Sequence, residues 1–265
     1  MTSIPIDLKN KALETPKTNA AVVCPNEESV LLAVKEAKEI NLINPILIGK
    51  KSLIEKTANQ VNLEINSYNI IEINNEQEAA TVACKLAHED KVKIIIKGNL
   101  HTDILMRYYL KKEFNLIVGR RLSHIWHMTA QKFNKPLFIT DGALNVLPRV
   151  EIKLQILKNA VDFCNKLNIF KPKVAILSGT EDPIDSMPSS IEAQKVMELA
   201  NKENVDALVH GPLAFDNAIS KEAAKIKNIK NEVAGKADIL LVPNLETGNS
   251  LSKLSLIHIS EPTRR

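Results

Sequence analysis

Short apolar runs alternate with longer stretches of helical period along most of the chain. Ala20–Cys24, Pro45–Gly49, Ile70–Ile73, Val92–Lys97, Leu137–Thr140, Val174–Ser178, Ala207–His210 and Ile239–Pro243 are four to six residues long and rich in β-branched residues. Runs of that kind predict parallel strands buried on both faces. Between them, Glu27–Ile40, Gln77–Glu89, Asp103–Phe114, Glu151–Leu167, Ile191–Lys202 and Asn217–Ile226 carry apolar residues at helical spacing. In the longest, Leu154, Leu157, Val161 and Cys164 fall on one face with Lys and Asn opposite, the pattern of a helix covering a core. A β-α-β-α order with short links predicts an α/β fold, a doubly wound parallel sheet.

Gly49, Gly98, Gly142, Gly179 and Gly211 each lie at or just past the end of an apolar run. Ligands of open parallel sheets bind beyond the carboxyl ends of the strands, where glycine permits positive φ or a close backbone approach. Leu147 and Pro148 precede the longest helix, and a residue before proline disfavours helix, so a domain seam is expected at Val146–Arg149. That divides the chain into residues 1–148 and 149–253.

Composition narrows the class. The 265 residues are 45% hydrophobic and 25% charged, the balance of a soluble globular enzyme. Net charge is +4, from 35 basic and 31 acidic residues spread along the chain, and only 4% are aromatic. A nucleic-acid groove needs a basic stripe interleaved with stacking platforms, and neither is present. No apolar run is long enough to span a membrane, and the first residues carry no secretory core, so a cytoplasmic setting is expected. Cys24, Cys84 and Cys164 lie far apart with no CxxC, which reads as reduced thiols.

Six segments carry candidate chemistry. Lys97, Gly98, His101 and Thr102 leave a strand and open a helix, where backbone N–H groups and a lysine suit an anion; Thr102 or Asp103 as an ordinary N-cap fits the same spacing. Gly119–His124 (GRRLSH) sets Arg121 beside Ser123 and His124, a fit for phosphate or carboxylate or simply a solvated pair of arginines. His127 has no carboxylate at ligand spacing, so no metal site is expected. Asp141, at the end of Leu137–Thr140, suits general-base or positioning work, or caps the turn at Gly142. Ser178 and Glu181 follow a strand, and Ser189 or Ser190 fits the N-cap of a helix from Ile191. Gly211 and Pro212 read as a turn before a helix that bears Asp216. Pro243 ends a strand, and Glu246 and Asn249 start the next helix. GxxxxGK[ST], GxGxxG and GxSxG are all absent, which removes the usual support for nucleotide hydrolysis, dinucleotide redox chemistry and serine-esterase chemistry.

Together these segments resemble the phosphate acetyl/butyryl transferase family. The resemblance rests on Lys97–Thr102 (KGNLHT), Ser123-His124, Ile139–Asp141, Lys173–Ser178 (KVAILS) and Gly211–Ser220 (GPLAFDNAIS). Val233–Gly235, Ala237–Pro243 (ADILLVP), Leu245-Glu246 and Gly248-Asn249 complete it, and the likeness runs from about Ala20 to Lys253. It implies a three-layer fold of the isocitrate/isopropylmalate dehydrogenase-like type, two domains with a cleft, and a homodimer formed through the second domain. It implies the reaction acyl-CoA + phosphate ⇌ acyl phosphate + CoA, with coenzyme A as substrate and no cofactor. Lys97, His101, Thr102, Arg121 and Ser123 become candidates for phosphate and acyl contact. Asp141, Ser178, Glu181, Asp216, Glu246 and Asn249 become candidates for lining the cleft, with Gly98, His124, Gly211, Pro212 and Pro243 beside them.

The chain departs from the family pattern at His210 and Asn244, where relatives carry Asp, which puts substrate positioning in doubt. After Lys253 the family continues to a Thr-Ser-Arg-x-Asp-Ser segment that supplies its catalytic residues. Here Leu254–Arg265 (LSLIHISEPTRR) resembles a translated sequencing-adapter sequence, with a divergent native tail as the alternative. The expectation is a truncated, inactive chain whose catalytic residues are unknown. A CoA- or phosphate-binding dimer without turnover, and a same-fold enzyme acting on another acyl phosphate, are the rival readings.

Overall fold

The computed structural model describes residues 5–117, 119–129 and 135–260, the last six by backbone alone. Contacts divide the chain into two compact units, Ile4–Gly119 and a second running from Arg120. The seam expected at Val146–Arg149 lies inside the second unit. The strand before it pairs with a strand a hundred residues later, so residues 137–148 cannot belong to the first unit.

In the first unit, α1 (Ile6–Leu13) precedes β1 (Thr18–Val23), α2 (Glu28–Glu39), β2 (Ile43–Gly49), α3 (Lys51–Gln60) and β3 (Asn69–Glu72). Then follow α4 (Glu76–His88), β4 (Ile94–Lys97) and α5 (Thr102–Tyr109). The sheet order is β3-β2-β1-β4, all parallel. Alternation along β1 sends Val22 to one core with Leu31, Val34, Ile54 and Ala58, while Ala21 and Val23 face Ala79, Ala80, Ala83 and Leu105. Helices therefore cover both faces, as uninterrupted apolar strands demand. Burial at 0% exposure pushes the Cys84 thiol up to about 11.

The second unit holds β5 (Trp126–Met128), β6 (Leu137–Thr140), α6 (Val150–Lys166), β7 (Lys173–Leu177), α7 (Pro188–Lys202) and β8 (Leu208–Leu213). It ends with α8 (Phe215–Ile219), α9 (Lys221–Ile226), β9 (Ile239–Leu241) and α10 (Leu245–Ser260). The sheet order is β5-β6-β9-β7-β8, mixed because β5 runs antiparallel to β6. The helix face read from the sequence is buried: Leu154, Leu157, Val161 and Cys164 are 0–5% exposed against Phe138, Val174 and Ile239. Each fully buried aliphatic of that set contributes roughly 1.5–3 kcal/mol.

Each unit has its own sheet, one of them all parallel and the other mixed, where the sequence predicts parallel strands throughout. The stretch Asn217–Ile226 is two helices, because Ser220 accepts from Ala223 N (3.1 Å) and caps a new helix there. Gly211 and Pro212 do not form a turn; both lie within β8, where the register shifts between Ala175 and Leu177. No described helix is long and apolar enough to cross a membrane. Backbone α10 continues unbroken across Leu254 to Ser260, and the remainder of the expected tail, 261–265, lies outside the described residues.

Candidate functional site

The site candidates fall into both units, and each unit has its own geometry. In the first, Lys97 ends β4, and its Nζ donates back to the Gly98 carbonyl (3.1 Å) and the Leu100 carbonyl (2.9 Å). The ammonium thus closes its own loop and keeps one N–H for a ligand. Gly98 is required by packing: a Cβ there would lie 2.3 Å from the Cys24 carbonyl oxygen and 2.6 Å from that of Val23. Its φ is not positive, nor is that of Gly142, Gly179 or Gly211, so close approach and not left-handed backbone distinguishes these four, whereas Gly49 has φ +155°. Neither Thr102 nor Asp103 caps α5; His101 occupies the cap position without a side-chain bond, and His101 and Thr102 are exposed.

In the second unit, a directed hydrogen-bond chain runs along the carboxyl end of β6. Asp141 is buried, 2% exposed. Its Oδ1 accepts from the N–H groups of Ala143 (2.8 Å) and Leu144 (3.0 Å), and its Oδ2 accepts from Asn145 Nδ2 (2.6 Å). Asn145 Nδ2 also donates to the Leu122 carbonyl (2.9 Å), and its Oδ1 accepts from Arg121 Nε (2.9 Å). The carboxylate therefore orients the amide, and the amide orients an exposed guanidinium. Both carboxylate oxygens are thus engaged within the unit, and Oδ1 closes the turn after β6 onto Ala143 N and Leu144 N.

The loop before β5 is fastened to α6. Gln155 Oε1 accepts from Arg121 N (2.8 Å), while Asn159 Nδ2 donates to the Arg121 carbonyl (2.8 Å) and to Ser123 Oγ (2.9 Å). Gln155 and Asn159 are one helical turn apart, so one face of α6 holds the whole segment. Arg120 pairs with Asp162 on the same helix at 2.6 Å. Among the described residues His124 Nδ1 is buried without a hydrogen-bond partner; its carbonyl accepts from Thr140 Oγ1 (2.8 Å), and its ring stands edge-on to Trp126 at 5.2 Å. Burial pulls its pKa below the ordinary value, against the opposing pull of Asp141, so the ring is neutral near pH 7.

The first turn of α10 abuts this chain. Gly142 and Gly248 meet as bare backbone: a Cβ on Gly248 would lie 2.8 Å from the Asp141 carbonyl oxygen and from Gly142 Cα. Asn249 Nδ2 donates to the Gly142 carbonyl (3.2 Å), and Leu245 N donates to that of Val146 (3.0 Å). Asn244 Oδ1 accepts from Thr247 N (2.9 Å), so it caps α10, work that Asn does as well as Asp. The departure at Asn244 is thereby accommodated locally. Pro243 is half-buried at the end of β9, and Glu246 is exposed in the first turn.

Beyond β7, Ser178 Oγ shares a hydrogen bond with Ser189 Oγ (2.9 Å). The helix starts at Pro188, three residues earlier than expected, with Met187 at the cap; Ser190 is buried and donates to the Met187 carbonyl (2.7 Å). Glu181 is already occupied: Asn217 Nδ2 donates to it, and Lys227 Nζ lies 3.2 Å and 3.3 Å from its two oxygens. Burial alone raises its pKa, but the Lys227 and Asn217 bonds outweigh that and hold the carboxyl below its usual range. Glu181 fastens the loop after β7 to Asn217 on α8 and to Lys227 just past α9. Asp216 is exposed on α8, Gly211 packs against Ile176, and Pro212 is buried beside it. His210 lies on β8, and burial lowers its pKa.

Within the second unit, then, the structure brings together Arg121, Ser123, His124, Asp141 and Asn249. Sequence reasoning missed Asn145, Gln155 and Asn159. The available signal was spacing, since Asn145 follows Asp141 by four residues and Gln155 precedes Asn159 by four. Among the described residues, no group of three or more His, Cys, Asp and Glu is placed to hold a metal ion. A groove of about 510 Å³ between α6 and α7 is lined by Arg149, Glu151, Glu192, Lys195, Glu198 and Lys202 and includes none of the candidates.

Residues 75–256 match the family described as phosphate acetyl/butaryl transferase. The chain is 40% identical over 250 residues to the phosphate acetyltransferase of Rickettsia felis, covering 94% of this chain and 72% of that protein. It is 36% identical over 249 residues to the phosphate butyryltransferase of Clostridium acetobutylicum, covering 94% and 82%. A branched-chain phosphotransacylase from Enterococcus faecalis has a similar structure, with TM-score 0.79 and 29% identity over 91% of this chain and 84% of that one. Coverage of this extent lends no support to the expectation that the chain is inactive.

Proposed function

Because the chain belongs to the phosphate acetyl/butyryl transferase family, we propose that it exchanges a short acyl group between coenzyme A and inorganic phosphate. A phosphate oxygen attacks the thioester carbonyl carbon, forming a C–O bond and a tetrahedral oxyanion. Collapse breaks the C–S bond, and the departing thiolate takes up a proton. In reverse, the thiolate attacks the acyl phosphate and phosphate leaves. Phosphate is already anionic near neutral pH, so the forward step needs cationic positioning more than it needs a base.

The observation that carries the reading is the Asp141–Asn145–Arg121 chain. It fixes Nε of an exposed guanidinium while leaving the terminal N–H groups for an anion, the bidentate geometry that arginine offers to phosphate. Ser123, held by Asn159, adds a hydroxyl close to it in sequence. Lys97, with one N–H to spare, and exposed His101 and Thr102 stay in the reading as further substrate contacts. The reading also includes an isocitrate/isopropylmalate dehydrogenase-like arrangement with a cleft, a cytoplasmic setting and a homodimer, the last checked by light scattering in solution.

The test supplies acetyl-CoA or butyryl-CoA with phosphate and follows free thiol. Thiol release that depends on phosphate, with a raised KM for phosphate and little change in KM for the thioester in Arg121→Ala, is the expected result. Thioester binding with no thiol release would move the protein to the non-catalytic, ligand-binding reading.

A further inference from the structure

We infer that Val146 and Leu147 form the surface on which the alkyl tail of the acyl group rests, and that they set which acyl chain the protein prefers. The inference rests on Arg121 as the phosphate contact and names the substrate-selecting part of that same site. Val146 is 66% exposed and Leu147 75%, two aliphatic side chains in succession with no core to join. Their backbone is nonetheless fixed. Asp141 holds Ala143 N and Leu144 N, Asn145 is 5% exposed and bonded to Leu122, the Val146 carbonyl accepts from Leu245 N, and Pro148 is buried. Two successive aliphatic side chains held outward on a fixed backbone form a small apolar surface that needs no rearrangement to receive a ligand.

Proximity to Arg121 identifies the occupant. Leu147 lies two residues from Asn145, whose Oδ1 holds Arg121 Nε at 2.9 Å. In an acyl phosphate the alkyl carbons begin one bond beyond the carbonyl that carries the phosphate oxygen. A side chain that meets the alkyl tail therefore belongs in the neighbourhood of the group that binds the phosphate. An exposed aliphatic pair that follows directly on the amide holding Arg121 offers an apolar surface suited to the tail of a short acyl phosphate.

The experiment compares acetyl-CoA with butyryl-CoA, by kcat/KM and separately by calorimetric Kd, in the wild type, Leu147→Ala and Leu147→Met. Leu147→Ala is expected to lower the butyryl-to-acetyl ratio by about three- to fifteen-fold, the upper figure being the ceiling for two buried methylenes. Leu147→Met keeps the ratio near wild type, and the melting temperature of both variants stays unchanged because the side chain lies outside the core. An unchanged ratio overturns the inference. So does an equal loss with both thioesters together with a change in mass by light scattering, which would make the pair a protein contact. Should the wild type release no thiol, the transfer reading fails while the two Kd values still decide the inference.

Discussion

Replacing Asp141 by Asn changes one atom and removes one charge, yet the structure makes it costly. Oδ1 can remain the acceptor for Ala143 N and Leu144 N, which puts the new amide nitrogen against Asn145 Nδ2, donor facing donor. Turning the Asn145 amide relieves that contact. It then aims an oxygen at the Leu122 carbonyl and a nitrogen at Arg121 Nε, so the mismatch moves and does not vanish. Every arrangement leaves at least one buried polar group without a partner, at about 1–3 kcal/mol, and also loses a charge-assisted bond. The sum is roughly 2–4 kcal/mol, or about 4–16 °C in melting temperature for a unit of this size. Scanning calorimetry on wild type and Asp141→Asn measures the shift, and phosphate titration of the thiol assay reads the loosened Arg121 as a higher KM. Melting within about 1 °C of wild type, with an unchanged phosphate KM, would refute the directed chain.

Three further outcomes follow from geometry elsewhere in the molecule. Gly98→Ala places a Cβ 2.3 Å from the Cys24 carbonyl oxygen, backbone against backbone, and should destabilise the first unit by several kcal/mol, about the cost of overpacking or more, read from urea midpoints. Lys153, with a 2% exposed side chain on α6, pairs at 2.5 Å with Glu192 on α7. Glu192→Gln should cost about 1–3 kcal/mol, below the full value for a buried pair because Glu192 is 36% exposed, and Lys153→Met in the same chain should recover most of it in a denaturation cycle. Burial lowers the pKa of His124, His127 and His210, so their unfolded forms bind protons first as pH falls below about 6.5. This contribution is fully present well above that value and declines as pH falls through it by at most ~1.4 kcal/mol per pH unit for each ring, and His210→Asn should flatten the slope in pH-dependent urea melts.

The parts of the fold that declare themselves in sequence are those whose burial is periodic. Leu137–Thr140 is a strand at the expected bounds because all four residues are buried, and the α6 face from Leu154 to Cys164 is legible for the same reason. Elements with short or polar inward faces escape notice. Helix α3 buries only Ile54, Thr57 and Ala58, and β5 is three residues long and defined by its antiparallel partner. Residue type also hides role at the site. For Asp141 the sequence leaves open a working carboxylate or a cap for the turn at Gly142, and only its three donors show the capping bonds; for Glu181 it gives no hint of the Lys227 and Asn217 partners. Asn145 draws no attention in sequence because an amide announces no chemistry, although its two-sided polarity is what carries orientation from Asp141 to Arg121.

The meeting of Gly142 with Gly248 bears on how this region can change over generations. A Cβ at Gly248 would meet backbone at 2.8 Å and one at Gly142 would press on Gly248 at 3.0 Å, so the frame joining β6 to α10 leaves little room for change at those two points. The neighbours that point outward, Ala143, Val146 and Leu147, are exposed and free of that constraint. Substitutions can accumulate on that outer fringe while the rigid joint beneath it stays as it is.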